Sequence, residues 1–279
     1  MNDNWKNSLK LLGFGDSHVE SIELALSMPS GAIIASGPTW SGKSKTLHTL
    51  LQAPLREDIH PSLKPKEPAS KLDFATVAAE NFWVDPELYY LPEIRDENCV
   101  SACAEFVNTG HRVMAKIHAA TAFHVPVRLH HLGKGQQFKI SALINQRLVN
   151  CVCSECSLAL GNLPVSETLD TWFTPALDQN IPADQRHNLR FRNPLGCPSC
   201  KEGYTGRTAV VEVVAPDAPM LECLHNLEWE KAARMFRDAG GKFLIDHALE
   251  KVMAGQVDLR DVAQRIGFDY LEEIRRPQA

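Results

Sequence analysis

The stretch SGPTWSGKSKT, Ser36 to Thr46, follows the apolar run GAIIASG and leads into a segment of helical spacing, SKTLHTLLQ. Within it, Gly37-Pro38-Thr39-Trp40-Ser41-Gly42-Lys43-Ser44 fits the pattern G-x-x-x-x-G-K-[ST] in the strand-then-helix setting that gives the pattern its meaning. The residue types suit phosphate. Gly37 and Gly42 let the backbone wrap an anion with its N–H groups inward, and the helix that follows adds partial positive charge at its N-terminus. In such loops the lysine, here Lys43, reaches the β- and γ-phosphates and the hydroxyl, here Ser44, holds Mg²⁺. Thr46 completes the candidate nucleotide-binding set. The pattern fixes only four positions, so the flanking strand and helix are what raise it above chance. Trp40 fills a variable position, where it can lie over a base or against a neighbouring subunit.

Outward from the loop, the chain alternates strand-like and helix-like segments. WKNSLKLLGFGDSHVESIELALS reads as two short amphipathic helices broken at Gly13–Gly15, with Asp16 or Ser17 capping the second. Residues 53–71, rich in proline, lysine and glutamate, read as an exposed connection. LDFATVAAENFWV is helical in pattern. ELYYLPEI reads as a buried strand that must end at Pro92, which has no N–H for a ladder. DENCVSACAEFVNTG is a helix stopped by Gly110, HRVMAKIHA a third strand, and residues 120–150 return to helix. GRTAVVEVV is a further strand, and the tail from Pro219 is mostly helical. This alternation implies an α/β fold with a parallel-rich sheet. No internal repeat is visible.

The chain has 279 residues, of which 44% are hydrophobic and 23% charged, the proportions of an ordinary globular protein. It has no uncharged apolar run of membrane-spanning length and no signal-peptide core at its start, so a cytoplasmic location is expected. A formal charge of −5 offers no general attraction for nucleic acid, and no specific nucleic-acid partner is expected.

Two further stations carry chemistry. A hydrolysing site needs a carboxylate beside the phosphates. In YYLPEIRD, Glu93 ends a hydrophobic strand, where it can face the phosphate loop, while Asp96 is placed to cap the next helix. His111 precedes the third strand and His118 ends it. A lone histidine is more often structural than catalytic, but one at a strand end beside a nucleotide can donate to a γ-phosphate. The other station is cysteine. Of the eight cysteines, Cys153-Ser-Glu-Cys156 and Cys197-Pro-Ser-Cys200 form two C-x-x-C knuckles in a polar, proline-containing stretch from Cys151 to Gly203. Four thiolates so arranged make a closed tetrahedral zinc site of structural type, against the alternatives of a redox pair or unliganded thiols. Cys151 lies two residues before the first knuckle and reads as buried.

Several stretches resemble one family in order along nearly the whole chain: the C-terminal ATPase domain of the type II secretion and type IV pilus assembly ATPases. LLGFGDSHVESIELALSMPSGAIIASGPTWSGKSKTL is similar to its entry helices and phosphate loop, and VDPELYYLPEIRD to its acidic strand, with Glu93 at the acidic position. NTGHRVMAKIHAAT is similar to its histidine box, carried by His111 and His118. LINQRLVNCVCSEC and CPSCKEGYTGRTAVVEVV resemble its tetracysteine segment, and ALEKVMAGQVDLRDVAQRIG its closing helices. The knuckles favour the assembly and secretion branch over the retraction ATPases.

The resemblance implies a RecA-like ATP-binding core over residues 1–150, a zinc-binding insertion over 151–203, and a returning strand with C-terminal helices over 204–279. It also implies a homo-hexameric or mixed ring that turns ATP hydrolysis into motion of an inner-membrane platform protein, driving pilin or pseudopilin assembly. The sequence departs from the family around the nucleotide. The family's preceding domain, which supplies arginines, is not among the matched stretches; either another chain supplies it, as a separate N-terminal-domain partner, or this is a fragment or a reduced relative. The stretch between the loop and Glu93 is shortened, and the family's aspartate box is represented only by REDIHP, with Glu57 as candidate water-activating base. Pro92 replaces a glycine, Lys45 a threonine, and Lys116 with Ala119–Ala120 replace the polar neighbours of His118. These departures motivate a second expectation: a nucleotide-binding scaffold subunit without turnover.

Overall fold

The computed structural model describes residues 4–53, 88–163, 172–268 and 274. The chain separates into two compact units, one comprising Met1–Gln146 with Glu212–Gly241 and the other Arg147–Val211 with Lys242–Ala279.

The first unit holds the phosphate loop. Helices α1 (Asn4–Leu12) and α2 (Asp16–Ser27) precede β1 (Gly31–Ser36), and α3 (Lys43–Leu50) follows the loop. Trp5 and Leu9, one turn apart on α1, are buried. The residue at the start of α2 is Gly15, not Asp16 or Ser17 as expected, and its N–H donates to His18 Nδ1 at 3.2 Å. The side chain of the third helical residue thus takes up the cap residue's own N–H, the reciprocal half of a capping box.

Beyond residue 88 come β2 (Leu88–Leu91), α4 (Glu97–Asn108), β3 (Arg112–Ile117), α5 (His124–Leu132) and β4 (Ile140–Val152). β2 stops before Pro92, as the missing N–H requires. Asp96 caps α4, its Oδ1 accepting from the Cys99 N–H at 3.0 Å. That bond from the backbone holds the Asp96 carboxyl below its ordinary range. Asp96→Ala is expected to cost about 1 kcal/mol in urea unfolding at neutral pH. Because the carboxyl is depressed on folding, this contribution is present above the ordinary carboxylate range and fades as pH falls through the folded-state value, so variant and parent converge in acid.

β4 corrects the sequence reading, which placed helix throughout 120–150. Only α5 is helical there. Residues 140–152 form a 13-residue strand beside the central strand β1. The run ALINQRLV (142–149) is compatible with either state by pattern, and the choice falls to non-local pairing with β1.

The sheet order is β2-β3-β1-β4, with β7 (Tyr204–Val214) next to β4, and β2, β3, β1 and β4 pair in parallel. β1 is buried along its whole length, which is why its sequence is uninterrupted by polar residues before Ser36. Register sets the site. Ser36 lies opposite Ile117 on one side and Asn145 on the other, and Leu91 lies opposite Ala115. The residues just past β1, β2 and β3, namely Gly37, Glu93 and His118, therefore leave the sheet at one edge, with Gln146 of β4 beside the loop, outside the carboxyl ends of the strands where ligands bind open α/β sheets. Helices α7 (Ala218–His225) and α8 (Trp229–Asp238) complete this unit.

The second unit contains the cysteine knuckles, the short antiparallel pair β5 (Leu158–Ala159) and β6 (Arg190–Phe191), and helices α6 (Phe173–Asn180), α9 (Leu244–Met253) and α10 (Leu259–Arg265). Its polar ties are concentrated on α10. Buried Asp258 accepts from the Arg192 and Arg260 N–H groups at 2.8 and 2.9 Å, and Asp261 from the Tyr204 hydroxyl at 2.9 Å. Cys151, expected to be buried, is half-buried and bridges to Val257. Among the described residues, no helix is long and apolar enough to cross a membrane.

Candidate functional site

The loop between β1 and α3 is built on unusual backbone. Gly37, Trp40 and Gly42 have φ of +135°, +64° and +93°. For the glycines this is free. For Trp40 it is strained, since a bulky L-residue rarely adopts it. Trp40 is nonetheless 85% exposed, so no packing of its ring within the chain explains the strain. Local strain of this kind persists where neighbouring structure dictates it and clusters at ligand sites.

Lys43 is buried, and its Nζ donates to the carbonyls of Gly37 at 2.8 Å and Pro38 at 2.6 Å, holding the ammonium over the loop. The first N–H groups of α3 have no acceptor within the helix, so loop and helix present donors and a cation to one point. The loop is braced from β4. The Gln146 side chain donates to the Ser41 carbonyl at 2.6 Å and accepts from Thr46 Oγ1 at 2.9 Å. Asn145 donates to Ser36 Oγ at 2.9 Å.

Glu93 stands at the end of β2. Its Oε1 is 2.8 Å from His118 Nε2, and its Oε2 accepts from Arg95 Nε at 2.8 Å. Partial burial pushes the Glu93 carboxyl up, but the Arg95 hydrogen bond and charge, with His118 and Lys116, outweigh it and hold the group below its ordinary value. His118 Nδ1 lies 3.1 Å from the Gly37 carbonyl, which can only accept, so that contact needs a proton on Nδ1. His118 thus ties the acidic strand end to the first glycine of the loop.

In the second unit, the Sγ atoms of Cys153, Cys156, Cys197 and Cys200 all lie within 4.8 Å of one another. The pairs Cys153–Cys197, Cys156–Cys200 and Cys197–Cys200 are each 3.7 Å apart. A tetrahedron with Zn–S bonds of about 2.3 Å has S···S edges of about 3.8 Å, so these thiols are spaced for zinc rather than for a disulfide, whose sulfurs sit about 2 Å apart. Desolvation opposes the Cys200 thiolate, but N–H groups of Cys197 and Gly203 and the neighbouring thiols bring its pKa down to about 7. Glu155 accepts from Ser199 at 2.7 Å and clips one knuckle to the other. Gly203 is needed where it stands: φ is +84°, and an added Cβ would meet the Asn193 carbonyl oxygen at 2.3 Å. Gly203→Ala is expected to lower the thermal midpoint and weaken metal retention together; a midpoint unchanged within error would contradict this.

The sequence pattern of the family described as "Type II/IV secretion system protein" matches residues 58–264. The chain belongs to this family. Among its relatives are the type IV pilus assembly ATPase PilB of Pseudomonas aeruginosa, 30% identical over 90% of this chain and 46% of its own length, and the type II secretion system protein E of Aeromonas hydrophila, 29% identical over 93% and 53%. The chain spans about half the length of the curated relatives it matches. Similar solved structures are the pilus retraction motor PilT with bound ADP (TM-score 0.61, 17% identity, 92% of this chain and 66% of that one) and the Legionella pneumophila ATPase DotB (TM-score 0.57, 21% identity, 92% and 64%). These agree with the α/β architecture of the family.

Within this family member, the predicted site residues divide. Gly37, Pro38, Ser41, Gly42, Lys43, Ser44, Glu93 and His118 come together, as do the four knuckle cysteines. Pro38, Thr39 and Trp40 form the exposed rim of the loop. Thr46 is buried and turned to Gln146. His111 does not join the site. It lies before β3, opposite the start of β1, roughly 20 Å of strand from His118. There it shares a hydrogen bond with Thr109 at 2.9 Å and packs edge-on against Tyr89, which is stacked on Phe106. Glu57 lies outside the described residues.

Three residues were missed. Arg95 engages Glu93, and Gln146 braces the loop. Lys116 donates from Nζ to Ser44 Oγ at 3.0 Å, so the hydroxyl expected to serve Mg²⁺ already has an ammonium partner. The Arg95 signal was available, two residues from Glu93 on a strand end. Gln146 and Lys116 needed the sheet register.

Proposed function

We propose that the chain is the ATP-binding and hydrolysing part of a motor subunit for type IV pilus or type II secretion pseudopilus assembly. The observation that supports this reading is the convergence of the lysine-bearing loop with the Glu93–His118 pair at one edge of a parallel sheet. In this reading Gly37 to Gly42 and the start of α3 take the phosphates, Lys43 leaves the Gly37 and Pro38 carbonyls for the β- and γ-phosphates, and His118 carries the state of the phosphate site to Glu93. Glu57 is the candidate for orienting the attacking water. Bond breaking between the β–γ bridging oxygen and γ-phosphorus then depends on positioning and charge, the main sources of phosphoryl-transfer catalysis. The four cysteines hold a structural Zn²⁺ that shapes the second unit. The subunit works in the cytoplasm, in a homo-hexameric or mixed ring against an inner-membrane platform protein, with a further domain or chain supplying arginines.

A second reading has its own support: both Glu93 oxygens and the Ser44 hydroxyl are engaged by side chains of this chain. A nucleotide-binding scaffold subunit without turnover would look like this. Phosphate release measured beside ATP binding separates the two. Turnover that falls by about 100-fold in Glu93→Gln, with binding retained, supports the motor. Binding without turnover supports the scaffold, and absence of binding overturns both.

A further inference from the structure

We propose that the Lys116 ammonium is a built-in counter-cation in the phosphate site, taking the place between Ser44 and Glu93 where nucleotide loops of this pattern carry Mg²⁺, so that the chain binds nucleoside diphosphate without needing the metal. This rests on the nucleotide reading above. In such loops Mg²⁺ is held between the loop hydroxyl and an acidic residue of a neighbouring strand. Here the loop hydroxyl is Ser44 Oγ, and it accepts from Lys116 Nζ at 3.0 Å. The acidic strand end is Glu93, and Lys116 is one of the charges that stabilise its carboxylate.

The placement is fixed by backbone rather than by a free side chain's reach. Lys116 pairs with Ala35 on the central strand, one residue before the loop begins to leave the sheet. On the other side its carbonyl accepts from the Ile94 N–H at 2.7 Å, which clamps the residue next to Glu93 against it. The side chain thus starts on the strand between β1, which leads into the loop, and β2, which leads to Glu93.

The two lysines divide the work. Lys43 is held over the loop by the Gly37 and Pro38 carbonyls, and Lys116 occupies the other side of the α3 N-terminus at Ser44. An ammonium has three donors, so with one given to Ser44 it has two for phosphate oxygens. It neutralises phosphate charge as a point cation. It cannot coordinate water or bridge two phosphate oxygens with the fixed octahedral geometry of Mg²⁺. The arrangement therefore supports binding more than turnover, in keeping with the other departures around Glu93. An approaching Mg²⁺ has to displace Lys116 from Ser44 and is repelled by its charge.

The test is calorimetric titration of the full chain with ADP, in buffer with excess Mg²⁺ and in Mg²⁺-free buffer made without a chelator, which would also strip the four-cysteine site. For the parent, the two dissociation constants are expected to agree within about threefold. Lys116→Thr is expected to weaken metal-free binding by about tenfold or more and to recover with Mg²⁺, because removing one partly screened positive charge from the phosphates has an effect of that order. Lys116→Met, which keeps the apolar stem, should behave like Lys116→Thr, and matching circular dichroism melts show that both fold. A parent that loses about tenfold or more without Mg²⁺, or a Lys116→Thr chain as indifferent to Mg²⁺ as the parent, overturns the proposal. ADP that fails to bind in either buffer, or binds Lys43→Ala as well as the parent, overturns the nucleotide reading beneath it.

Discussion

Cys153→Ser is expected to abolish stoichiometric zinc and to unfold the second unit at temperatures where the parent is intact. Purified parent should carry one zinc per chain by elemental analysis, and the variant close to none. The argument is one of composition and geometry. The two knuckles, Cys-Ser-Glu-Cys and Cys-Pro-Ser-Cys, offer no large apolar side chain of their own, and the strand pair β5–β6 has only two residues per strand. Two-stranded ribbons of that length are not stable alone. What fixes the fold there is the four-thiol cluster, with buried Cys153 tied to Gly203 through its N–H at 2.9 Å and both knuckles closed by their own backbone turns. A structural metal contributes its binding energy directly to folding. Loss of one ligand leaves three thiols and a weak hydroxyl, and the thermal midpoint is expected to fall by about 10 °C or more. The buried cysteines outside the cluster provide the contrast. Burial pushes the Cys103 thiol far up, so Cys103→Ala should leave zinc content unchanged.

Lys43→Ala is expected to weaken ADP and ATP binding by about 100-fold or more, since one charge-assisted hydrogen bond contributes about 1.5–3 kcal/mol and the ammonium can make two. The fold should survive. Lys43 Nζ hydrogen-bonds the Gly37 and Pro38 carbonyls; without it the Gly37 carbonyl keeps His118 Nδ1 at 3.1 Å, and Pro38 lies on the exposed rim of the loop. A binding loss without a loss of melting temperature is the signature of a ligand contact rather than of a structural one.

Much of this site was legible in the sequence because its parts are local. The loop pattern, its strand and its helix occupy consecutive residues, and each C-x-x-C knuckle is a single turn. Pro92 marked the end of β2, and Asp96 the start of α4, by rules that involve only near neighbours. What was not legible was set by pairing across the sheet. β4 read as helix because Asn145, Gln146 and Arg147 interrupt its apolar run, and only its place beside β1 makes it a strand. With β4 misread, Gln146 could not be seen as the brace of the loop. Lys116 looked like a substitution beside a histidine, and its contact with Ser44 spans 72 residues of sequence. The His111 expectation failed for a reason that was available. A six-residue strand separates it from His118, and the two ends of a strand cannot serve one phosphate.

The most direct test of the central claim, that the Ser36–Thr46 loop holds a nucleotide through Lys43, is an ADP titration of the parent and the Lys43→Ala chain in parallel, each checked for intact folding. Saturable binding at one site per parent chain, lost by about 100-fold in the variant, is the expected result. Equal binding to both chains, or to neither, would contradict it.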